Sequence, residues 1–226
     1  MNCSDIHHNL QIITQRIEQA ALRCGRDQKN IQLVAVSKFH PITAVQTALN
    51  QQQFVFGENR IQEAKEKFIP LIEQNPNILL HIIGPIQTNK IIDAVKIANV
   101  IETVDREALL SPLEKAINKT GRSPKLFIQI NIGEEPQKAG ILPAEANNFI
   151  ELCLKRFGSK VQGVMAIPPV NQNPTPYFQR LASFAHAYQL PEISMGMSAD
   201  FEEAIACGAT LVRVGSAIFG NRPVKI

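Results

Sequence analysis

The chain lacks most of the features that mark a specialised environment. Its four cysteines, Cys3, Cys24, Cys153 and Cys207, form no CxxC pair and no spacing that suggests zinc. Scattered in this way they suit a reduced cytosol, where a free Cys is a small buried hydrophobe. Charge of one sign is also missing: 23 Lys and Arg stand against 20 Asp and Glu, a net charge of +3, with no basic block. That is too weak a field to argue for nucleic acid. No apolar run approaches the length of a membrane span. The opening Met1-Asn2-Cys3-Ser4-Asp5 has neither the basic n-region nor the apolar h-region of a secretory signal. Linkers, low-complexity tracts and internal repeats are absent from the pattern. The expectation is one cytoplasmic domain over residues 1–226, with no membrane contact and no metal.

What is present is a normal globular balance, with 45% hydrophobic residues and 19% charged, enough for a substantial core. From Asp5 to Cys24, the residues Ile6, Leu10, Ile13, Ile17, Ala20 and Ala21 mark one face of a helix, with Ser4 as its N-cap and Gly25 as its stop. Short apolar, β-rich runs then recur: Ile31–Val36, Phe54–Phe56, Leu79–Ile83, Asn99–Ile101, Leu126–Asn131, Val161–Met165, Glu192–Ser194 and Leu211–Val214. Most are separated by helical patterns, at Pro41–Asn50, Ile61–Gln74, Arg106–Thr120, Pro143–Phe157, Pro176–Gln189 and Ala199–Cys207. Alternating strands and helices mean parallel strands with right-handed crossovers. About eight of them predict an α/β fold, a single (β/α)8 TIM-type barrel with an N-terminal helix and no added β-domain. Only Ser216 to Ile226 follow the last strand, so the N-terminal helix is expected to sit beside the first and last strands, where an eighth helix would pack. Pro168–Thr175 reads as the longest unstructured loop, on the active face.

Alternate residues of a barrel strand point inward. With Lys38 inward, Val34 and Val36 follow it, and Leu33 and Ala35 face the helices. The same parity puts His81, Gln129, Asn131 and Arg213 inside, with Leu80, Ile82, Leu126, Ile128, Val212 and Val214 outside. These polar residues lie toward the C-terminal ends of their strands, where barrel enzymes place their chemistry. A single strand-end lysine is ordinarily a solvated residue, and a strand histidine is ordinarily a hydrogen-bonded core residue. An inward Arg213 needs an anion or an acceptor.

Two loops near the C-terminus share one chemistry: Ser194-Met195-Gly196-Met197-Ser198 and Gly215-Ser216-Ala217-Ile218-Phe219-Gly220. Glycine admits a ligand close to the backbone, and Ser198 and Ser216 supply hydroxyls. The loops after the seventh and eighth strands of a barrel are a frequent phosphate site. A lysine able to form a Schiff base and a phosphate cup suit two ligand classes, a sugar-phosphate carbonyl compound or pyridoxal phosphate (PLP). Attack by the amine requires its neutral form, which a neighbouring cation such as Arg213 favours.

Five segments carry a resemblance over nearly the whole chain: Leu33-Val34-Ala35-Val36-Ser37-Lys38, Phe56-Gly57-Glu58-Asn59-Arg60-Ile61-Gln62-Glu63, His81-Ile82-Ile83-Gly84-Pro85-Ile86-Gln87-Thr88-Asn89-Lys90, Ser194-Met195-Gly196-Met197-Ser198-Ala199-Asp200 and Val212-Arg213-Val214-Gly215-Ser216-Ala217-Ile218-Phe219-Gly220. They resemble the YggS/PROSC family of PLP homeostasis proteins, whose fold is similar to the barrel of alanine racemase, the type III fold of PLP enzymes. The resemblance implies that Lys38 forms the internal aldimine and that Arg213 faces the pyridine nitrogen. It places Ser198, Gly215 and Ser216 at the phosphate, Asn59 and His81 near the ring, and Met197 among the cofactor contacts. Lys138 resembles a family lysine near the cofactor loop, in a stretch that departs from the family pattern at Pro136. The implied role is PLP and vitamin B6 homeostasis, with apo PLP-dependent enzymes as partners.

An arginine at the ring nitrogen weakens the electron sink, because a charged guanidinium cannot take part in protonating that nitrogen. Racemases of this fold add a tyrosine base from a second domain and a dimer partner. This chain is expected to lack that domain, to be a monomer, and to use Tyr177 and Tyr188 for no evident catalytic purpose. The leading expectation is therefore a PLP-holding protein without turnover and without catalytic residues. The alternatives are a type III enzyme such as an amino-acid racemase and a cofactor-free Schiff-base lyase.

Overall fold

A computed structural model describes residues 3–221, with side chains from Asp5 onward. Eight parallel strands close a barrel in sequential order. They are β1 (Gln32–Val36), β2 (Val55–Glu58), β3 (Leu79–Ile82), β4 (Val100–Val104), β5 (Lys125–Gln129), β6 (Val161–Met165), β7 (Glu192–Ser194) and β8 (Leu211–Val214). The ring shuts where β8 pairs with β1, with Gln32 opposite Leu211 and Val34 opposite Arg213. The helices are α1 (Cys3–Arg23), α2 (Ile42–Leu49), α3 (Ile61–Gln74), α4 (Ile91–Ile97), α5 (Leu110–Thr120), α6 (Ala146–Phe157), α7 (Thr175–Ala187), α8 (Phe201–Ala206) and α9 (Ser216–Phe219). None of the described helices is long and apolar enough to cross a membrane.

The strand parity read from the sequence holds. Leu33, Ala35, Leu80, Ile82, Leu126, Ile128, Val212 and Val214 pack into the layer between strands and helices. Val34, Val55, Val100, Phe127, Met165 and Leu211 form a separate apolar cluster inside the barrel. That inner plug closes the barrel, and the polar residues lie beyond it toward the C-terminal strand ends.

α1 takes the eighth helical position. It packs between α2 and α8 and against α9. Its apolar stripe, Ile6, Leu10, Ile13, Ile17, Ala20 and Ala21, is buried, and each isoleucine contributes about 1.5–3 kcal/mol by leaving water. Polar contacts fix the register: Arg16 Nε to Glu202 Oε1 at 2.9 Å, Asn9 Nδ2 to Ile218 O at 3.0 Å and Arg26 Nη1 to Ile205 O at 2.7 Å. The helix stops at Gly25 (φ 65°), with the N–H of Gly25 bonded to Leu22 O and that of Arg26 to Ala21 O, the paired bonds of a Schellman end.

The structure corrects several boundaries. Ser4 lies inside α1 and is not its cap. α4 has no counterpart in the sequence reading. β4 runs three residues beyond Ile101, to Val104. α6 starts at Ala146, not Pro143, so the longest loop is 130–145 and not Pro168–Thr175. That loop returns to the sheet through an Ile130–Ile141 bridge and folds around Asn131, whose amide donates to Glu135 O at 2.9 Å and accepts from the Glu135 N–H at 3.2 Å. Expectations for the Cys3 side chain and for Arg222 to Ile226 lie outside the described residues.

Candidate functional site

A cleft of about 710 Å³ opens at the C-terminal ends of the strands. It is lined by Lys38 after β1, Asn59 after β2, Met197 and Ser198 after β7, Arg213 on β8, and Gly215 and Ser216 after it. Seven of the eight residues expected from the sequence therefore meet in one cavity. The loops after β1, β3, β6 and β7 also contribute Phe39, His40, Ile83, Ile167 and Ala199 to its wall.

Lys38 sits in a turn held from beneath. Lys67, on α3, is 7% exposed. Its ammonium donates to Ser37 O at 2.8 Å and His40 O at 3.1 Å, bracketing Lys38 on both sides. The same nitrogen pairs with Glu58 Oε1 at 2.5 Å and Glu63 Oε1 at 2.8 Å. Glu63 in turn accepts the Phe39 N–H at 2.6 Å. Phe39 has φ 68°, a left-handed backbone that a bulky residue adopts only when its surroundings impose it. Ser37 Oγ donates to Glu58 at 2.8 Å. Burial pushes the Glu58 carboxyl up, and Lys67 and Ser37 oppose that.

Arg213 is 4% exposed. It donates through Nη1 to Ser194 Oγ at 2.6 Å and through Nη2 to Ala166 O at 2.9 Å. Ser194 Oγ donates to Glu102 Oε2 at 2.6 Å, and Glu102 Oε1 meets His81 Nδ1 at 2.6 Å. The result is a buried chain, His81–Glu102–Ser194–Arg213, that orients the guanidinium at the cleft floor. Burial alone would raise the Glu102 carboxyl, but His81, Arg213 and Ser194 together hold it below its ordinary value. Burial lowers the Arg213 guanidinium, against the pull of Glu102 and Asp200.

At the opposite wall, Ser216 Oγ and Ser198 Oγ lie 3.3 Å apart, and the Ala217 N–H points at Ser198 Oγ from 3.4 Å. Asp200 Oδ1 accepts the Met197 N–H at 2.6 Å and shapes this loop. Gly196, at φ 87°, leaves no room for a side chain, since a Cβ would fall 2.5 Å from Ala204 Cβ. An amine, a fixed guanidinium and a hydroxyl pair in one cleft suit an aldehyde that carries a ring and a phosphate.

Four expected residues stand elsewhere. His81, 2% exposed, is not part of the cleft wall and reaches the site through Glu102. Gln129 and Asn131 point inward but brace the loop, Gln129 Nε2 donating to Ala139 O at 3.0 Å and Asn131 to Glu135 O at 2.9 Å. Lys138 pairs with Glu135 and donates to Pro168 O at 2.9 Å, tying the 130–145 loop to the one after β6 and standing apart from the cleft wall. Sequence reasoning missed Glu102, Ser194 as a partner of Arg213, and the Lys67 cluster. Extending β4 by parity from Val100 would have put Glu102 inside.

Asn59 is held by close packing of the neighbouring loop: a Cβ on Gly84 would lie 2.2 Å from Asn59 O. Gly84→Ala is expected to displace Asn59, to cost about 1–3 kcal/mol as an overpacked site, and to weaken ligand binding in the cleft. Urea unfolding within about 0.5 kcal/mol of the parent would show that the backbones are not locked together.

The family model for the alanine racemase N-terminal domain matches residues 2–223. The pyridoxal phosphate homeostasis protein of Haemophilus influenzae is 36% identical over 236 residues, covering 96% of each chain. Among solved structures, PipY of Synechococcus elongatus is 36% identical, covering 92% of this chain and 100% of its own. Its TM-score is 0.79 without PLP and 0.76 with PLP bound. An alanine racemase of Clostridium difficile matches at 13% identity and a TM-score of 0.72, over 98% of this chain and 58% of its own, a likeness of fold alone.

Proposed function

Because the chain belongs to the alanine racemase N-terminal domain family, and within it to the pyridoxal phosphate homeostasis proteins, we propose that it binds PLP through Lys38 and serves intracellular vitamin B6 balance without catalytic turnover. The observation that carries this reading is the meeting of Lys38, Arg213, Ser198 and Ser216 in one cleft. The PLP-bound structure of PipY supports it.

In this reading residues 1–226 act as one PLP-binding barrel domain. Lys38 is the covalent tether. Ser198, Gly215 and Ser216 take the phosphate, Asn59 and Met197 flank the ring, and Arg213 faces the pyridine nitrogen. His81 acts at one remove, through Glu102 and Ser194, by holding Arg213 in place. When bound, PLP supplies an electrophilic carbon and an electron sink. Arg213 limits that sink, because a charged guanidinium neither accepts a proton nor stabilises one on the ring nitrogen. The tyrosines also favour holding over turnover: Tyr177 OH donates to Gln172 Oε1, and Tyr188 OH reaches Glu151 Oε1 at 3.2 Å outside the barrel. We assign the protein to the cytoplasm as a monomer that hands PLP to apo PLP-dependent enzymes.

The purified protein is expected to be yellow, and borohydride reduction is expected to leave the cofactor mass on the Lys38 peptide. Alanine and other amino acids should not be racemised. Turnover of about one per second or faster would reject the holding role in favour of a racemase. A protein that takes up no PLP would reject both and leave the cofactor-free lyase.

A further inference from the structure

A second cleft, of about 640 Å³, lies beside the first and shares Phe39 and Asn59 with it. Three cations line it: Arg60 at the head of α3, Lys90 before α4, and Arg106 after β4. Their charges are largely unspent. Among the described residues neither Arg60 nor Lys90 has a carboxylate within ion-pair distance, and the nearby acid Asp93 is taken by Lys65 at 3.0 Å. Arg106 alone is paired, its Nη1 with Asp105 Oδ1 at 2.5 Å, while its Nη2 donates to Ile86 O at 2.8 Å. Three cations against one carboxylate leave two positive charges. Phe39, Pro85 and Ile86 give the cleft an apolar wall, and the Arg60 guanidinium lies over the Phe39 ring at 5.4 Å. The first turn of α3, which has no side-chain cap, opens on the same space.

We propose that this cleft is a second small-molecule site, for a phosphate monoester with a flat apolar body. The surplus of two charges matches a phosphate monoester, which carries about −1.5 to −2 at neutral pH, better than a carboxylate. The volume suits a small organic ligand, and the apolar wall with its stacked guanidinium suits a ring. None of these residues belongs to the proposed PLP contacts except the shared border residue Asn59, so the inference does not depend on what Lys38 holds.

The test uses the full chain with PLP fixed to Lys38 by borohydride, so that the first cleft is closed. Isothermal titration with phenyl phosphate, inorganic phosphate and benzoate then reads the second cleft. Phenyl phosphate should bind at one saturable site, more tightly than inorganic phosphate and than benzoate. Lys90→Glu and Arg60→Gln should each weaken it about tenfold, as expected for loss of a charge-assisted contact, with unchanged cofactor absorbance and melting temperature. These two variants carry the test because Arg106 also braces Ile86 O. No saturable binding, equal binding of benzoate, or an affinity untouched by Lys90→Glu would overturn the proposal. If the chain proves unable to take up PLP, the same titration of the untreated protein, compared with Lys90→Glu, still decides it.

Discussion

Lys38→Ala is expected to abolish covalent retention of PLP. The parent protein, reduced with borohydride, should gain the cofactor mass on one peptide, and the variant should gain none. The reason is geometric as well as chemical. Lys38 is the only lysine that lines the cleft among the described residues. Lys67 is spent on two carbonyls and two carboxylates beneath the turn, and Lys138 is tied to Glu135 and Pro168 O. The hydroxyls of Ser198 and Ser216 remain in the variant, so a weaker, reversible affinity for the phosphate should survive, readable by equilibrium dialysis. Complete loss of binding would mean that the covalent bond dominates affinity. Cofactor mass still appearing on another lysine would sink the assignment of Lys38 itself.

Lys67→Met should be strongly destabilising. The ammonium neutralises Glu58, which is fully buried, and Glu63, and it satisfies the carbonyls of Ser37 and His40. Removing one partner of a buried ion pair leaves the other charge uncompensated and costs about 3–5 kcal/mol. Among the described residues Glu58 Oε2 already has no hydrogen-bond partner, so no alternative donor stands ready there. Urea unfolding should show the loss, and the double variant Glu58→Gln with Lys67→Met should recover a large part of it, since the stranded charge is gone. Because the turn carrying Lys38 loses its brace, PLP uptake by folded Lys67→Met should also slow. A single-variant cost below about 1 kcal/mol would place Lys67 with surface ion pairs and remove it as the support of the turn.

Lys38 and Lys67 differ in how plainly the sequence reveals them. Lys38 was legible because β1 is a clean apolar run and a period of two counts forward from Val34 and Val36 to the lysine. His81 and Arg213 were legible in the same way, since each is flanked by apolar residues that belong outside. Lys67 was not. Glu63 and Lys67 stand four residues apart on α3, the spacing of an ordinary solvated pair, and nothing local shows that the Lys38 turn lies over them.

Glu102 was hidden for a related reason. The apolar signal of β4 ends at Ile101, and Glu102-Thr103 reads as the start of a loop. In the barrel the strand continues to Val104, with a register shift against β5 between Ile101 and Val104. The carboxylate then turns inward to meet His81, Ser194 and, at 3.9 Å, Arg213. Four strands contribute to that chain, and no single segment contains it. The length of the 130–145 loop is hidden in the sequence because Pro143 resembles a helix start, whereas Asn131 and the Ile130–Ile141 bridge hold the backbone out of helix until Ala146.

The sequence by itself determined the number and order of the strands, the inward faces of β1, β3, β5 and β8, the place of α1 at the eighth helical position, and the two glycine-serine loops. All of these follow from patterns within a few residues: hydrophobic period, capping and turn chemistry. Only the tertiary structure decided which polar groups answer one another across the barrel. It placed Lys67 under Lys38 and joined Arg213 to His81 through Glu102 and Ser194. It also gathered Arg60, Lys90 and Arg106 around a second cleft. Those partners come from different strands and helices, and burying a charge beside its partner is a matter of distance in space, which local periodicity does not encode.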